Sequence, residues 1–171
     1  MRMVGRWLKT SKSWSNSSTK NSVTETLNRR KSCRSFLDCK LPDGLILDLI
    51  DKARRTPTAG NSQGVEFLVL DEKSLVEDFW RVSFSEKDKS TFSFPGLLRA
   101  PVLVIPFGVP SRYIERYKEN DKNYTNLGED TKEWKVPYWL TDAAFATMAL
   151  QLLAIENQLE TCFIGLFDRE E

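Results

Sequence analysis

Two stretches of this 171-residue chain concentrate side chains that can hold a ligand. The first is "RRKSCRSF", residues 29–36, which packs Arg30, Lys31, Ser32 and Arg34 into a short run. An extended backbone puts Arg30, Ser32 and Arg34 on one face, because strand side chains alternate. Two guanidinium groups and a hydroxyl then make an anion site. A helical backbone would instead group Arg30 with Arg34, turn Ser32 away, and leave a solvated basic helix end near the negative pole of its dipole. The second stretch is "RTPTAGNSQGVEFLVL", residues 55–70, where a helix ends and a strand begins. Its junction carries Thr58, Asn61, Ser62 and Gln63, hydroxyls and amides with no strong acid, base or metal ligand among them.

Composition narrows the chemistry further. Histidine is absent, which removes the commonest metal ligand and the usual general base together. The three cysteines, Cys33, Cys39 and Cys162, form neither a CxxC pair nor an even set, and read as reduced thiols of a cytoplasmic protein. Cys33 lies in the basic run, where cations can lower a thiol pKa, but no base accompanies it. A net charge of +1 offers no electrostatic case for nucleic acid. No uninterrupted apolar run reaches the ~18 residues of a membrane span. No GxGxxG or GxxxxGK occurs, so a dinucleotide fingerprint and a Walker-type phosphate loop are both missing.

The elements that must position these residues follow from periodicity. Residues 1–22 hold five basic residues, six serines and no acid, and read as a basic, serine-rich extension outside the fold or as a transit segment. The folded domain is expected over residues 23–171. Ser22 with Glu25 makes a capping box for a first helix. "LPDGLILDLIDKARRTP" predicts a second, capped by Asp43, with Leu45, Ile46, Leu49, Ile50 and Ala53 on one face and Pro57 as its stop. "VEFLVL", "APVLVIPFGV" and "TCFIGLF" predict three strands, and "SLVEDFWRV" a short helix between the first two. Pro106 implies an irregular or unpaired edge on the second strand. Residues 110–137 are charged and aromatic without a sustained period, and read as a solvated loop with one helical turn, a functional lid or a partner arm. "YWLTDAAFATMALQLLAIENQL" is apolar nearly all round, so it must be buried on more than one side. Interleaved helices and strands suit an α+β or α/β layered fold.

The motifs "RRKSCRSF", "ARRTPTAGNSQ" and "LTDAAFATMALQLLAIENQLETCFIGLFD", in that order over about residues 23–171, resemble the FMN-dependent nitroreductase-like family. The resemblance implies an α+β fold of that type, a three-layer α/β/α sandwich with a central, mostly antiparallel sheet and a long buried helix. It also implies FMN as cofactor, NADH or NADPH as electron donor, and ping-pong reduction of a nitroaromatic, quinone or similar small acceptor. The family is homodimeric and builds its site across the subunit interface. Carried over by position, Arg30 and Ser32 resemble phosphate ligands, with Lys31 a weaker one, and Arg34 would reach the pyrimidine edge of the flavin. Asn61 resembles the amide that bonds the imide edge, in a wall shaped by Pro57, Thr58 and Gln63. Ile164 and Gly165 match the segment whose backbone approaches flavin N5, where glycine permits close approach. No side chain is expected to act as catalytic acid.

Two departures from the family pattern carry expectations of their own. Gly64 and Val65 stand where members often have Pro and Trp, which would loosen the turn. The resemblance also calls for a further strand and a basic segment after residue 171, so the domain is expected to lack its C-terminal strand. Two other readings stay open: a flavin-binding or truncated interaction protein without turnover, and a dehalogenase-like reaction on the same scaffold with lid groups from Tyr113, Glu115, Tyr117 and Lys118.

Overall fold

The computed structural model describes residues 22–165. The readings of residues 1–21 and of 166–171 lie outside the described residues. Ser22 and Glu25 form the expected capping box: the Ser22 hydroxyl accepts from the Glu25 N–H at 3.2 Å, and the Glu25 carboxylate accepts from the Ser22 N–H at 2.7 Å. Helix α1, Val23–Arg29, starts there and stops at Arg30, whose ψ of 122° turns the chain out of the helix. "RRKSCRSF" then runs without helical structure, and Ser32 makes an isolated parallel bridge with Thr161. The extended reading of the basic run therefore holds over the helical one.

Helix α2, Leu45–Ala53, buries Leu49, Ile50 and Ala53 of its expected apolar face. Its cap differs from expectation. Gly44 occupies the N-cap at φ 75°, a left-handed conformation open to glycine, while Asp43 pairs instead with Lys40 at 2.6 Å. Strand β1, Val65–Leu70, pairs antiparallel with β2, Leu103–Gly108, from Val65↔Gly108 to Leu70↔Leu103. Pro106 sits inside β2 opposite Phe67, tolerated because β2 is an edge strand of a two-stranded pair.

Helix α3, Lys73–Ser83, brings Val76 and Trp80 against Leu97, with Leu70 and Leu103 of the strands packed on that cluster. Helix α6, Tyr138–Glu156, brings Ala143 and Ala146 against Val65 and Phe67. The strand pair thus carries helices on its two faces, as alternation along β1 requires. Between these elements lie α4, Glu86–Thr91, and α5, Pro110–Tyr117.

Three expectations are corrected here. The third strand is absent among the described residues: Thr161 bridges Ser32, and residues 162–165 pair with no strand. Apolar, β-branched content makes a segment fit a sheet, but a strand forms only where a partner edge meets it. The fold is accordingly mixed α+β and mostly helical, with a small antiparallel pair in place of the larger central sheet. Helix α6 is long as expected but only partly buried, since Leu140 is 58% and Phe145 56% exposed. By length and composition it could cross a membrane, although in this fold α2, β1 and β2 pack along it. Finally, residues 110–137 are no solvated loop. They contain α5, and Trp134 packs edge-on against Tyr113, Tyr117, Tyr138 and Trp139.

Candidate functional site

The turn after α2 is wound tightly by its own side chains. Thr58 precedes a single 3-10 turn, Ala59–Asn61, and its hydroxyl accepts from the Gln63 N–H at 2.9 Å. The Ser62 hydroxyl donates to the Ala59 carbonyl at 2.6 Å. Closing the loop this way forces left-handed backbone at Gly60 (φ 62°), Asn61 (φ 58°) and Gln63 (φ 50°). Asn tolerates that region better than most residues, whereas Gln does so at a cost of roughly 1–2 kcal/mol. Such strain persists only where the surroundings over-determine it.

Here the surroundings come from two distant helices. The Asp142 carboxylate, 3% exposed on α6, accepts from the Ala59 N–H at 2.8 Å and from the Tyr113 hydroxyl at 2.8 Å. Arg116 of α5 donates from Nε to the Gly60 carbonyl at 2.9 Å, and its other nitrogens hold both oxygens of Asp121 at 2.7 Å. This bidentate pair pulls the Asp121 carboxyl down to about 2 and raises Arg116 above its ordinary value. Burial, reinforced by the bond to Asp142, pushes the Tyr113 phenol up, so it stays a donor. The Tyr117 ring lies against Gly60 and the Tyr113 ring against Gly64, each so close that a Cβ would collide with it. Gly64 therefore does not loosen the turn. It lets Tyr113 close over it, and Val65 begins β1, 4% exposed.

The clamped turn presents Pro57, Thr58, Asn61 and Gln63 to one cavity of about 410 Å³, which Arg54, Arg55 and Asp51 also line. Arg55 is paired with Asp51 at 3.0 Å. The four expected turn residues are thus brought together, with Asn61 and Gln63 exposed.

The basic run forms a second group with the chain after α6. The Ser32 bridge is fixed by the Cys33 N–H, which donates to the Thr161 carbonyl at 2.9 Å. Lys31 pairs with Glu160 at 3.4 Å, and the Arg34 guanidinium carbon lies 5.0 Å from the Phe94 ring centroid. Ile164 lines a larger, mostly apolar groove of about 660 Å³ with Phe36, Leu37 and residues of β2. A Cβ at Gly165 would meet nothing within 4 Å, so close packing among the described residues does not demand that glycine. The turn residues and Ile164 line different cavities, and Arg30, Lys31, Ser32 and Arg34 line neither. One chain therefore carries the expected site as two separate groups.

Sequence reasoning missed Asp142, Tyr113 and Arg116 as the residues that hold the turn. Asp142 left a signal, being the one charged residue from Tyr138 to Ile155, since a buried carboxylate must have partners. The complete burial of Tyr113 excludes it as a lid group.

Comparison with known proteins adds a family. The sequence pattern of the Nitroreductase family matches residues 27–171. No curated protein matches the chain. Among solved structures, a Bacillus subtilis protein described as a nitroreductase superposes with a TM-score of 0.62 at 17% identity, covering 85% of this chain and 75% of that one. A nitroreductase-type protein of Exiguobacterium sibiricum, solved in complex with FMN, gives 0.61 at 16% identity over 86% and 76%. A Staphylococcus epidermidis protein described as an NAD(P)H:FMN oxidoreductase gives 0.56 at 24% identity over 88% and 76%. At these identities the structures speak for the fold, while the match over residues 27–171 shows that the chain belongs to the nitroreductase family.

Proposed function

We propose that this chain is an FMN-dependent oxidoreductase that takes a hydride from NADH or NADPH and reduces a small acceptor such as a nitroaromatic or quinone. The observation that carries the reading is the clamped turn. A fold that holds the backbone of Asn61 and Gln63 left-handed, with Asp142 and Arg116 bracing the turn at Ala59 and Gly60, carries two exposed amide side chains on a fixed main chain. An amide carries a donor and an acceptor side by side, which suits the alternating edge of a flavin's imide. When bound, FMN supplies the hydride and electron chemistry that this chain's side chains lack.

The residues present fit such a cofactor. Arg30 and Ser32 would hold the phosphate, and Lys31, already paired with Glu160, would add less. Arg34 would supply fixed positive charge beside the pyrimidine ring, and Pro57 and Thr58 would wall it. Ile164 and Gly165 would offer backbone at the far side. Because one chain carries these residues as two separate groups, we place the complete site between two copies, in a homodimer that also covers Leu140 and Phe145 of α6.

An absorption spectrum of the purified protein with added FMN tests the reading, followed by anaerobic NADH and NADPH titration. Bound flavin that is bleached by either nucleotide is the expected result. Asn61→Leu, which deletes donor and acceptor together, should weaken FMN binding by roughly 1–3 kcal/mol, while the apoprotein stays folded at a cost of about 1–2 kcal/mol for leucine at φ 58°. Normal FMN affinity in a folded Asn61→Leu protein would remove Asn61 from the site. Bound flavin that no nucleotide reduces would leave a binding protein without turnover.

A further inference from the structure

The function proposed above uses none of the three cysteines, yet two of them are placed as register neighbours. The parallel bridge sets Ser32 opposite Thr161, and the Cys33 N–H bond to the Thr161 carbonyl fixes that register. One residue further along both segments stand Cys33 and Cys162. Alternation turns them to the face opposite Ser32 and Thr161. Thr161 marks its own face, since its hydroxyl accepts from Gln151 of α6 at 2.9 Å. Cys162 marks the other, packing on the Val76, Trp80 and Leu97 cluster of the α3 side.

At the Ser32–Thr161 bridge the two segments approach to the roughly 4.7–4.9 Å spacing of paired strands, and Cys33 and Cys162, each the next residue on, need Cα atoms within roughly 4.4–6.8 Å for a disulfide to span them. Neither thiol is committed to a strong partner. Cys33 donates to the Ser35 carbonyl at 3.3 Å and Cys162 to the Phe163 carbonyl at 3.4 Å, both weak sulfur bonds. Burial raises the Cys162 thiol, with Arg34 pulling the other way and Cys33 adding to the rise. Cys162 is partly exposed and Cys33 buried, so reagent reaches the pair from the Cys162 side.

We propose that Cys33 and Cys162 form an oxidisable thiol pair that closes to an intramolecular disulfide, stapling the basic segment of Arg30, Ser32 and Arg34 to the segment of Ile164 and Gly165. A peroxide is the oxidant. The Cys162 thiol gives up its proton as its sulfur attacks one peroxide oxygen, the O–O bond breaks, and Cys162 becomes a sulfenic acid as the second oxygen takes up that proton and leaves as water. The Cys33 sulfur then attacks the Cys162 sulfur, the S–O bond breaks and a second water departs. Two thiols lose two hydrogens and two electrons, and one hydrogen peroxide becomes two waters. The inference stands apart from the flavin reading, since it needs no bound cofactor.

The test uses the full chain, reduced, freed of reductant and exposed to hydrogen peroxide under native conditions, followed by alkylation and peptide mapping without reduction. A cross-linked peptide joining Cys33 to Cys162 is expected, with intact mass lower by about two units and Cys39, the exposed third cysteine, still alkylated. The C39S protein should form the same link, and C162A should not. Linkage through Cys39, stepwise oxygen addition without a cross-link, or no reaction in C39S each overturns the proposal. The linked protein should also melt at a higher temperature than the reduced one, and reductant should reverse the gain.

Discussion

Removing the carboxylate that anchors the turn has a consequence that the geometry makes quantitative. Asp142→Leu keeps most of the volume and orphans two donors, the Ala59 N–H and the hydroxyl of the fully buried Tyr113. An unsatisfied buried donor costs about 1–3 kcal/mol, so the pair amounts to roughly 2–6 kcal/mol. Relief of a buried charge offsets part of that. Tyr113→Phe removes one donor and leaves Asp142 its bond to Ala59, for a loss of about 1–2 kcal/mol. In the Asp142→Leu background the same change deletes a hydroxyl that already lacks its partner, so it should cost nothing or stabilise. The cycle therefore predicts a coupling of about 1.5–3 kcal/mol, readable from urea unfolding of the four proteins. Amide exchange supplies the second readout: Ala59 should exchange faster in Asp142→Leu and stay protected in Tyr113→Phe. Additivity within about 0.5 kcal/mol would show that the two side chains stabilise the fold independently and that no shared anchor exists.

Four further outcomes are expected. Gly64→Ala should destabilise by about 1–3 kcal/mol, because its methyl enters the Tyr113 ring, and thermal unfolding reads it. Gly60→Ala combines a collision with Tyr117 and a φ of 62°, so it should lower stability further and open the turn to proteolysis. For pH, the raised Tyr113 phenol contributes stability that is fully present below its ordinary value of 10 and is lost as pH climbs beyond it, and Tyr113→Phe should flatten that alkaline limb. Asp121 has the opposite sign: its contribution is present above the ordinary 3.8 and lost as pH falls toward about 2, so an NMR titration of its carboxyl should show the low midpoint and Arg116→Gln should raise it.

How much of this arrangement could be read from sequence depends on the range of the interaction that decides it. The apolar face of α2 is a local periodic pattern, and the strand β1 and the long α6 are continuous apolar runs; all three form where the local sequence puts them. The extended course of "RRKSCRSF" was one of two local options, and the choice was made by Thr161, more than a hundred residues away. The lack of a third strand among the described residues has the same cause, for a segment rich in strand formers stays unpaired where no edge meets it. Gly64 shows the limit most clearly. A glycine after a turn reads locally as slack, but across the fold it is the space that a tyrosine ring occupies. The turn itself was legible as a cluster of amides and hydroxyls, while its clamp was not, because Asp142 lies 83 positions from Ala59 and Arg116 lies 56 from Gly60. The spacing of four between Tyr113 and Tyr117 puts both rings on one face of α5, a signal that the absence of a sustained period over residues 110–137 hid. What it could not supply was the object of that face. Left-handed backbone at Asn61 and Gln63 is sustained by α5 and α6, so the conformation of the exposed amides is a property of the tertiary fold, and changes in those helices should reach the site without touching it.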